Sequence, residues 1–237
     1  MLEVERKQSA TRDRAFQCIF SGFVPDARRR ECAAPRRAVT VTLLLIRDAA
    51  HVELGQRLSG RRRDVALSPD GLQQAEIVAD LLAVEPIAAV YSSPRERAWY
   101  TARELADRLG VEVRASDALD EVDFGDWTGL SFDALEGDPA WDEWNCARGS
   151  ARPPSGESMA EAVARAVAEV ERIAFEHRSQ TVAAVSHCEV IRGLIAHFLG
   201  LPLDNAMRFE IGPASVSRLL VGDWGVRVAS VNERLYQ

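Results

Sequence analysis

Three segments place charged or nucleophilic side chains directly behind apolar runs. Arg47-Asp48-Ala49-Ala50-His51 follows residues 39–46. Ser92-Ser93-Pro94-Arg95-Glu96-Arg97 follows 87–91, and Ser186-His187-Cys188 follows 181–185. In an open α/β sheet, ligands bind beyond the carboxyl ends of the strands, so three such strands would bring these segments to one rim. Guanidinium groups present fixed donor forks that match phosphate oxygens bidentately. Helix starts after Ser93 and Ser186 would add free backbone N–H groups to an anion site. One arginine after a strand is usually a solvated loop residue. Three segments at equivalent positions point to a shared anion-binding rim.

The elements that must hold these residues follow from periodicity. Residues 39–46, rich in Val and Leu, read as a strand buried on both faces. Ser68-Pro69 supplies an N-cap and a first-turn proline. Leu72, Ala75, Ile77, Val78, Leu81 and Leu82 then give a helical apolar face. A second helix is expected from Pro94 to Leu109, stopped by Gly110. A third strand is expected over 111–114, and 117–144 reads as loop. Ser158 and Glu161 form a capping box that opens a long helix with an apolar face. A short helix over 189–199 follows the strand at 181–185. Runs at 216–221 and 226–231 around Gly222-Asp223-Trp224-Gly225 read as a hairpin. Strands alternating with helices predict an α/β three-layer sandwich, a mostly parallel sheet with helices on both faces.

Composition narrows the function. The chain has 237 residues, 47% hydrophobic and 27% charged, with a formal charge of −7. That balance supports a sizeable core and argues against a nucleic-acid binder. No apolar run approaches the ~20 residues of a membrane span. Lys7 is the sole lysine, so a lysine-dependent mechanism is excluded beyond the N-terminal segment. Cys18, Cys32, Cys146 and Cys188 are scattered, without disulfide-framework or zinc spacing, and a cytoplasmic location is expected. Residues 1–38 hold nine basic and five acidic side chains, leaving −11 for the remainder. They are expected to be a peripheral or disordered extension, with one domain over 39–237.

Six segments, in order, resemble the histidine phosphatase superfamily, the phosphoglycerate-mutase-like family. The apolar strand ending in Arg47 matches its opening. Leu67-Ser68-Pro69-Asp70-Gly71-Leu72-Gln73-Gln74-Ala75 is similar to L-S-x-x-G-x-x-Q-A. Residues 92–102 match S-S-P-x-x-R-A-x-x-T-A, and 119–129 match L-x-E-x-x-F-G-x-W-x-G. Pro154-Ser155-Gly156-Glu157-Ser158 gives P-x-G-E-S, and Val185-Ser186-His187-Cys188-Glu189-Val190-Ile191-Arg192 resembles V-S-H-G-x-x-I-R. The resemblance covers about residues 40–232.

The resemblance implies a phosphoglycerate-mutase-like fold and a metal-independent phosphomonoester hydrolase acting on a small phosphorylated metabolite. No cofactor, nucleic-acid or membrane partner is implied, and a monomer or homodimer is expected. Arg47, Arg97 and His187 match the phosphate-binding pocket, Glu121 the proton donor, and Ser59 and Gly60, more loosely, substrate contacts. The departure is Asp48, which stands where the family has its phosphoryl-accepting histidine. Carboxylates do accept phosphoryl groups, but Ala50 leaves no second carboxylate for Mg²⁺. Asp48 is therefore expected to impair the chemistry, pairing with Arg47, Arg97 or His187. The alternative is a catalytically silent phosphate-ligand binder, and a phosphoglycerate mutase is disfavoured. His51 reads as a surface or substrate-contact residue. Cys188, at a helix N-terminus that would lower a thiol pKa, reads as a small buried replacement for glycine. The segment 130–157, with Trp141, Trp144, Arg148 and Arg152, is expected to select the substrate.

Overall fold

A computed structural model describes residues 39–235. The expectation for residues 1–38 falls outside the described residues. Six strands, β1 (Thr40–Arg47), β2 (Ile87–Ser92), β3 (Val113–Ala115), β4 (Thr181–Ser186), β5 (Val216–Gly222) and β6 (Gly225–Glu233), form one sheet. Its order is β3-β2-β4-β1-β5-β6. The first four are mutually parallel, while β5 and β6 are an antiparallel hairpin added beside β1. The sheet is therefore mixed, with its parallel part at the end that concerns function.

Among the described residues, six α-helices flank the sheet: α1 (Pro69–Leu82), α2 (Glu96–Leu109), α3 (Phe132–Leu135), α4 (Pro139–Cys146), α5 (Met159–Glu176) and α6 (Cys188–Phe198). Side chains alternate along a strand, and β1 shows what that does. Leu43 and Leu45 pack with Met159, Val163, Ile191 and Leu194 of α5 and α6. Leu44 and Ile46 pack with Val78 and Leu82 of α1 and Leu105 of α2. Burial on both faces explains the unbroken apolar run. Full burial stabilises by roughly 1.5–3 kcal/mol per large aliphatic side chain.

Helix starts and stops follow local chemistry. The Ser68 hydroxyl accepts from Gly71 N–H, with Pro69 in the first turn. Ser158 and Glu161 close the expected capping box, and Gly110 ends α2 in the left-handed region at φ 67°. Two expectations need correction. The second helix begins at Glu96, because Arg95 is still extended and serves as its N-cap. Residues 117–144 are not all loop: Asp138 caps α4 by accepting from Ala140 N–H, with Pro139 at the helix start. Burial of Trp144 holds this short helix to the core.

Gly71 sets how closely α1 approaches the chain leaving β1. A Cβ there would lie 1.7 Å from the Ala50 carbonyl oxygen. That oxygen accepts from Ser68 N–H at 2.9 Å. Ala49 N–H donates to Thr101 Oγ1 and Ala50 N–H to Gln74 Oε1, both at 3.0 Å. The segment after β1 is thus fixed by α1 and α2 together. Among the described residues, no helix is long and apolar enough to cross a membrane.

Candidate active site

Sheet order builds the site. Strand β4 lies between β2 and β1 and is parallel to both. Their carboxyl ends therefore deliver Ser93, His187 and Asp48 side by side. Asp48 N–H donates to Ser186 O at 2.8 Å, and Ser93 N–H to Val185 O at 3.0 Å. Arg97 enters from the first turn of α2.

Asp48 is buried, with 3% of its surface exposed. Its Oδ2 accepts from Arg97 Nε at 2.9 Å, and its Oδ1 lies 3.5 Å from His187 Nδ1. Arg97 Nη2 donates to Gly60 O at 2.7 Å and reaches His187 Nδ1 at 3.1 Å. Arg47 Nη1 donates to Ile211 O at 2.6 Å. Arg47 Nε and Arg97 Nη1 are buried without a hydrogen-bond partner among the described residues. Orphaned guanidinium donors are costly in a closed core and are what an anion-binding site requires.

The network assigns a tautomer to His187. Nδ1 faces the Arg97 donor, so it accepts. Nε2–H then donates to Ser93 Oγ at 2.7 Å, and Ser93 O–H donates to Asp120 Oδ1 at 3.2 Å. Asp120 is held in turn by Arg95, at 2.9 Å through Nε and 2.6 Å through Nη2. The imidazole is thereby fixed in position with its Nδ1 edge toward Asp48.

Electrostatics separate the two buried carboxyls. Burial opposes charge on Asp48, but His187 in its protonated form, together with the Arg97 and Arg47 guanidiniums, outweighs it and holds the group well below the usual carboxylate range. Burial raises the Glu121 carboxyl above its ordinary value, assisted by Glu189 and opposed by a protonated His187, the Val122 amide and Arg97. One carboxyl is thus kept ionised, and the other holds its proton more tightly than an exposed carboxyl would. Burial pushes the Cys188 thiol up to about 11, so the helix N-terminus does not make it a thiolate. Burial, with Arg97 and Arg47 and against Asp48, pushes His51 down to about 4.

A cleft of about 280 Å³ opens on this core, lined by Arg47, Asp48, Arg97 and Glu121, with Ser59 and Gly60 on the wall. His187 lies behind Asp48, 1% exposed. Ser59 Oγ is engaged, donating to Glu53 Oε2 at 2.7 Å. His51 lines the cleft rather than the outer surface, as do Trp141, Trp144 and Arg148. Arg152 does not: it pairs with Glu161 at 2.6 Å on the surface. Sequence reasoning overlooked Ser93 and Asp120 as supports of His187. Ser93 was visible within the S-S-P motif, whereas Asp120 reads from sequence as any loop carboxylate. It also overlooked Glu189, which the fold places on Arg148 and Arg192.

Known proteins resemble this chain in sequence and in fold. The family model of the histidine phosphatase superfamily (branch 1) matches residues 43–234. Phosphoserine phosphatase 1 of Hydrogenobacter thermophilus is 32% identical over 182 residues, covering 75% of this chain and 85% of that protein. A bifunctional protein of Mycobacterium tuberculosis is 34% identical over 183 residues; the match spans 76% of this chain but only 50% of that longer one. The native structure of a mycobacterial glucosyl-3-phosphoglycerate phosphatase superposes with a TM-score of 0.74 at 27% identity. The superposition covers 82% of this chain and 99% of that one. The six-stranded sheet and its flanking helices have the phosphoglycerate-mutase-like fold of such neighbours. Motifs, fold and relatives agree: the chain belongs to the histidine phosphatase superfamily, branch 1.

Proposed function

We propose that this chain is a metal-independent phosphomonoester hydrolase whose chemistry is impaired because Asp48 occupies the position of the phosphoryl-accepting histidine. The carrying observation is the buried Asp48–Arg97 pair at 2.9 Å. Arg47 and Arg97 would bind the phosphoryl oxygens, joined by His187 once its Nδ1 is protonated. Glu121, whose carboxyl burial raises above its ordinary value, would deliver a proton to the leaving oxygen. Asp48 works against the first of these roles. Two like unit charges ~4 Å apart repel by about 4 kcal/mol at an effective dielectric of 20. An ionised Asp48 therefore competes with the phosphate dianion for the same guanidinium.

The substrate class is a small phosphorylated metabolite, in keeping with the phosphoserine and glucosyl-3-phosphoglycerate named for the relatives. The same ion pair supports a second reading, a catalytically silent phosphate-ligand binder. Hydrolysis of p-nitrophenyl phosphate, measured in EDTA and in Mg²⁺, tests the proposal. A slow rate indifferent to Mg²⁺ is expected. Phosphate binding with no turnover would favour the second reading, and a fast Mg²⁺-dependent rate would refute both.

A further inference from the structure

The cleft extends beyond its phosphate core, and the outer part holds positive charge that the protein does not neutralise. Arg57, Arg148 and Glu189 line it. Arg57 is exposed at the rim and donates through Nη1 to Gly129 O at 3.1 Å. Among the described residues no carboxylate pairs with it, and its other two nitrogens are free for a ligand. Arg148 is only 5% exposed. Its Nη1 donates to Glu189 Oε2 and its Nη2 to Asn145 Oδ1 at 3.3 Å, while its guanidinium lies 5.4 Å from the centre of the Trp144 ring. Its Nε is buried without a partner among the described residues. The other oxygen of Glu189 is taken by Arg192, whose Nε is likewise unpartnered. One carboxylate thus serves two buried guanidiniums. Incomplete pairing of buried charge is costly, and an anion entering the cleft relieves it.

Charge balance says which anion. Arg47, Arg57, Arg97, Arg148 and Arg192 stand against the carboxylates of Asp48 and Glu189. Five positive charges against two negative ones leave three, while Glu121 holds the proton it would donate. A phosphate dianion takes up two of the three. The charge that remains lies in the outer part, with Arg57 and Arg148. One carboxylate completes the balance, whereas a second phosphate dianion exceeds it. Guanidinium forks match carboxylate oxygens, and Glu189, held between Arg148 and Arg192, already places a carboxylate in this corner. The neighbouring walls, Leu54, Leu58, Phe132 and Trp141, are apolar and suit a carbon spacer without further charge.

We infer that Arg57 and Arg148 form a second anion subsite, and that the substrate is a phosphomonoester whose leaving group carries a carboxylate. The inference rests on the reading of Arg47 and Arg97 as the phosphate site. The cleft volume, about 280 Å³, is at the small end of ligand pockets and confines the spacer to a few carbons or one ring.

The test is binding, so that it does not depend on turnover. Two ligand pairs present the carboxylate on spacers of different length. They are 3-phosphoglycerate with glycerol 3-phosphate, and 4-carboxyphenyl phosphate with its neutral amide, 4-carbamoylphenyl phosphate. Calorimetric affinities for these and for inorganic phosphate are measured on the full chain and on its Asp48→His variant. In at least one pair the carboxylate member should bind about tenfold tighter or more, as expected for a charge-assisted contact. That ratio should fall to about threefold or less in Arg57→Gln, which alters an exposed side chain and so guards against simple misfolding. It should rise in Glu189→Gln, because the competing carboxylate is neutralised; a merely structural Glu189 would not raise it. If inorganic phosphate and every other ligand fail to bind to both proteins, the phosphate site and this inference fall together. If phosphate binds but both ratios are near one, or Arg57→Gln leaves the ratio intact, or Glu189→Gln lowers it, this inference alone is overturned. Tighter binding of propane-1,3-diyl bisphosphate than of either carboxylate ligand would also overturn it, in favour of a second phosphate.

Discussion

Ser93 Oγ lies 2.7 Å from His187 Nε2, and both groups are fully enclosed. The hydroxyl accepts from the ring and passes its own proton toward Asp120. A residue that touches nothing in the cleft therefore decides which edge of the imidazole faces Asp48. Removing the hydroxyl leaves a buried N–H unpaired, at a cost of about 1–3 kcal/mol. Ser93→Ala should lose that much stability in urea unfolding. Two-bond ¹H–¹⁵N correlation should show the Nε2–H tautomer in the parent chain and a mixture in the variant. An Nδ1–H parent spectrum would overturn the assigned network.

Asp48→Asn removes the counter-charge of a buried arginine. Breaking a buried pair in this way costs about 3–5 kcal/mol at pH 7. Because the Asp48 carboxyl is held below its ordinary value of 3.8, its stabilising effect is complete above that pH and is lost as pH falls beneath it. The difference between the two proteins should therefore shrink in acid. Denaturant titrations at pH 7 and pH 3 measure it; an equal difference at both would contradict the pairing.

Glu121 predicts the opposite slope. Its folded-state pKa is raised above the ordinary 4.5, so the folded protein holds this proton more tightly than the unfolded chain does. Stability falls as pH rises from about that value through the folded-state pKa. Glu121→Gln carries no such penalty. Its melting temperature relative to the parent should climb between pH 4.5 and pH 7.5, while activity is lost. A flat difference would mean that Glu121 is not buried as its proton-donor role requires.

Gly71→Ala should be among the most damaging single substitutions outside the cleft. The new methyl would fall 1.7 Å from the Ala50 carbonyl oxygen, which is backbone and tied to Ser68. Either α1 moves away or the segment carrying Asp48 shifts. A loss of about 2 kcal/mol or more is expected, in the range of severe overpacking, measured by chemical denaturation. Gly137→Ala is the control: its Cβ would meet nothing within 4 Å, although φ is +80°, so only backbone strain of about 1–2 kcal/mol applies.

The parts legible in the sequence were those set by local chemistry. The apolar run 40–46, the Ser68-Pro69 start, the Ser158–Glu161 box and the hairpin at 222–225 are each decided by neighbours in the chain. The rim was legible for the same reason, since Arg47, Arg97 and His187 each follow a strand signal. Strand order was not. Periodicity cannot say that β4 inserts between β2 and β1, and that insertion puts His187 beside Asp48. Helix α4 was overlooked although Asp138-Pro139 announces it, because glycines at 125, 129 and 137 dominate the surrounding segment. Glu189 was invisible as a partner of Arg148, which lies 41 residues earlier.

The most direct test of the account is Asp48→His, assayed on p-nitrophenyl phosphate in EDTA. An imidazole at this position is neutral near pH 7 and does not repel the dianion. Arg97 is released to bind phosphate, and Arg47, His187 and Glu121 are already placed. Phosphatase activity should rise by at least ~10³-fold, about 4 kcal/mol of barrier at 1.36 kcal/mol per decade. An unchanged rate, or the loss of a Mg²⁺-dependent one, would show that Asp48 is itself the working nucleophile or that the site only binds.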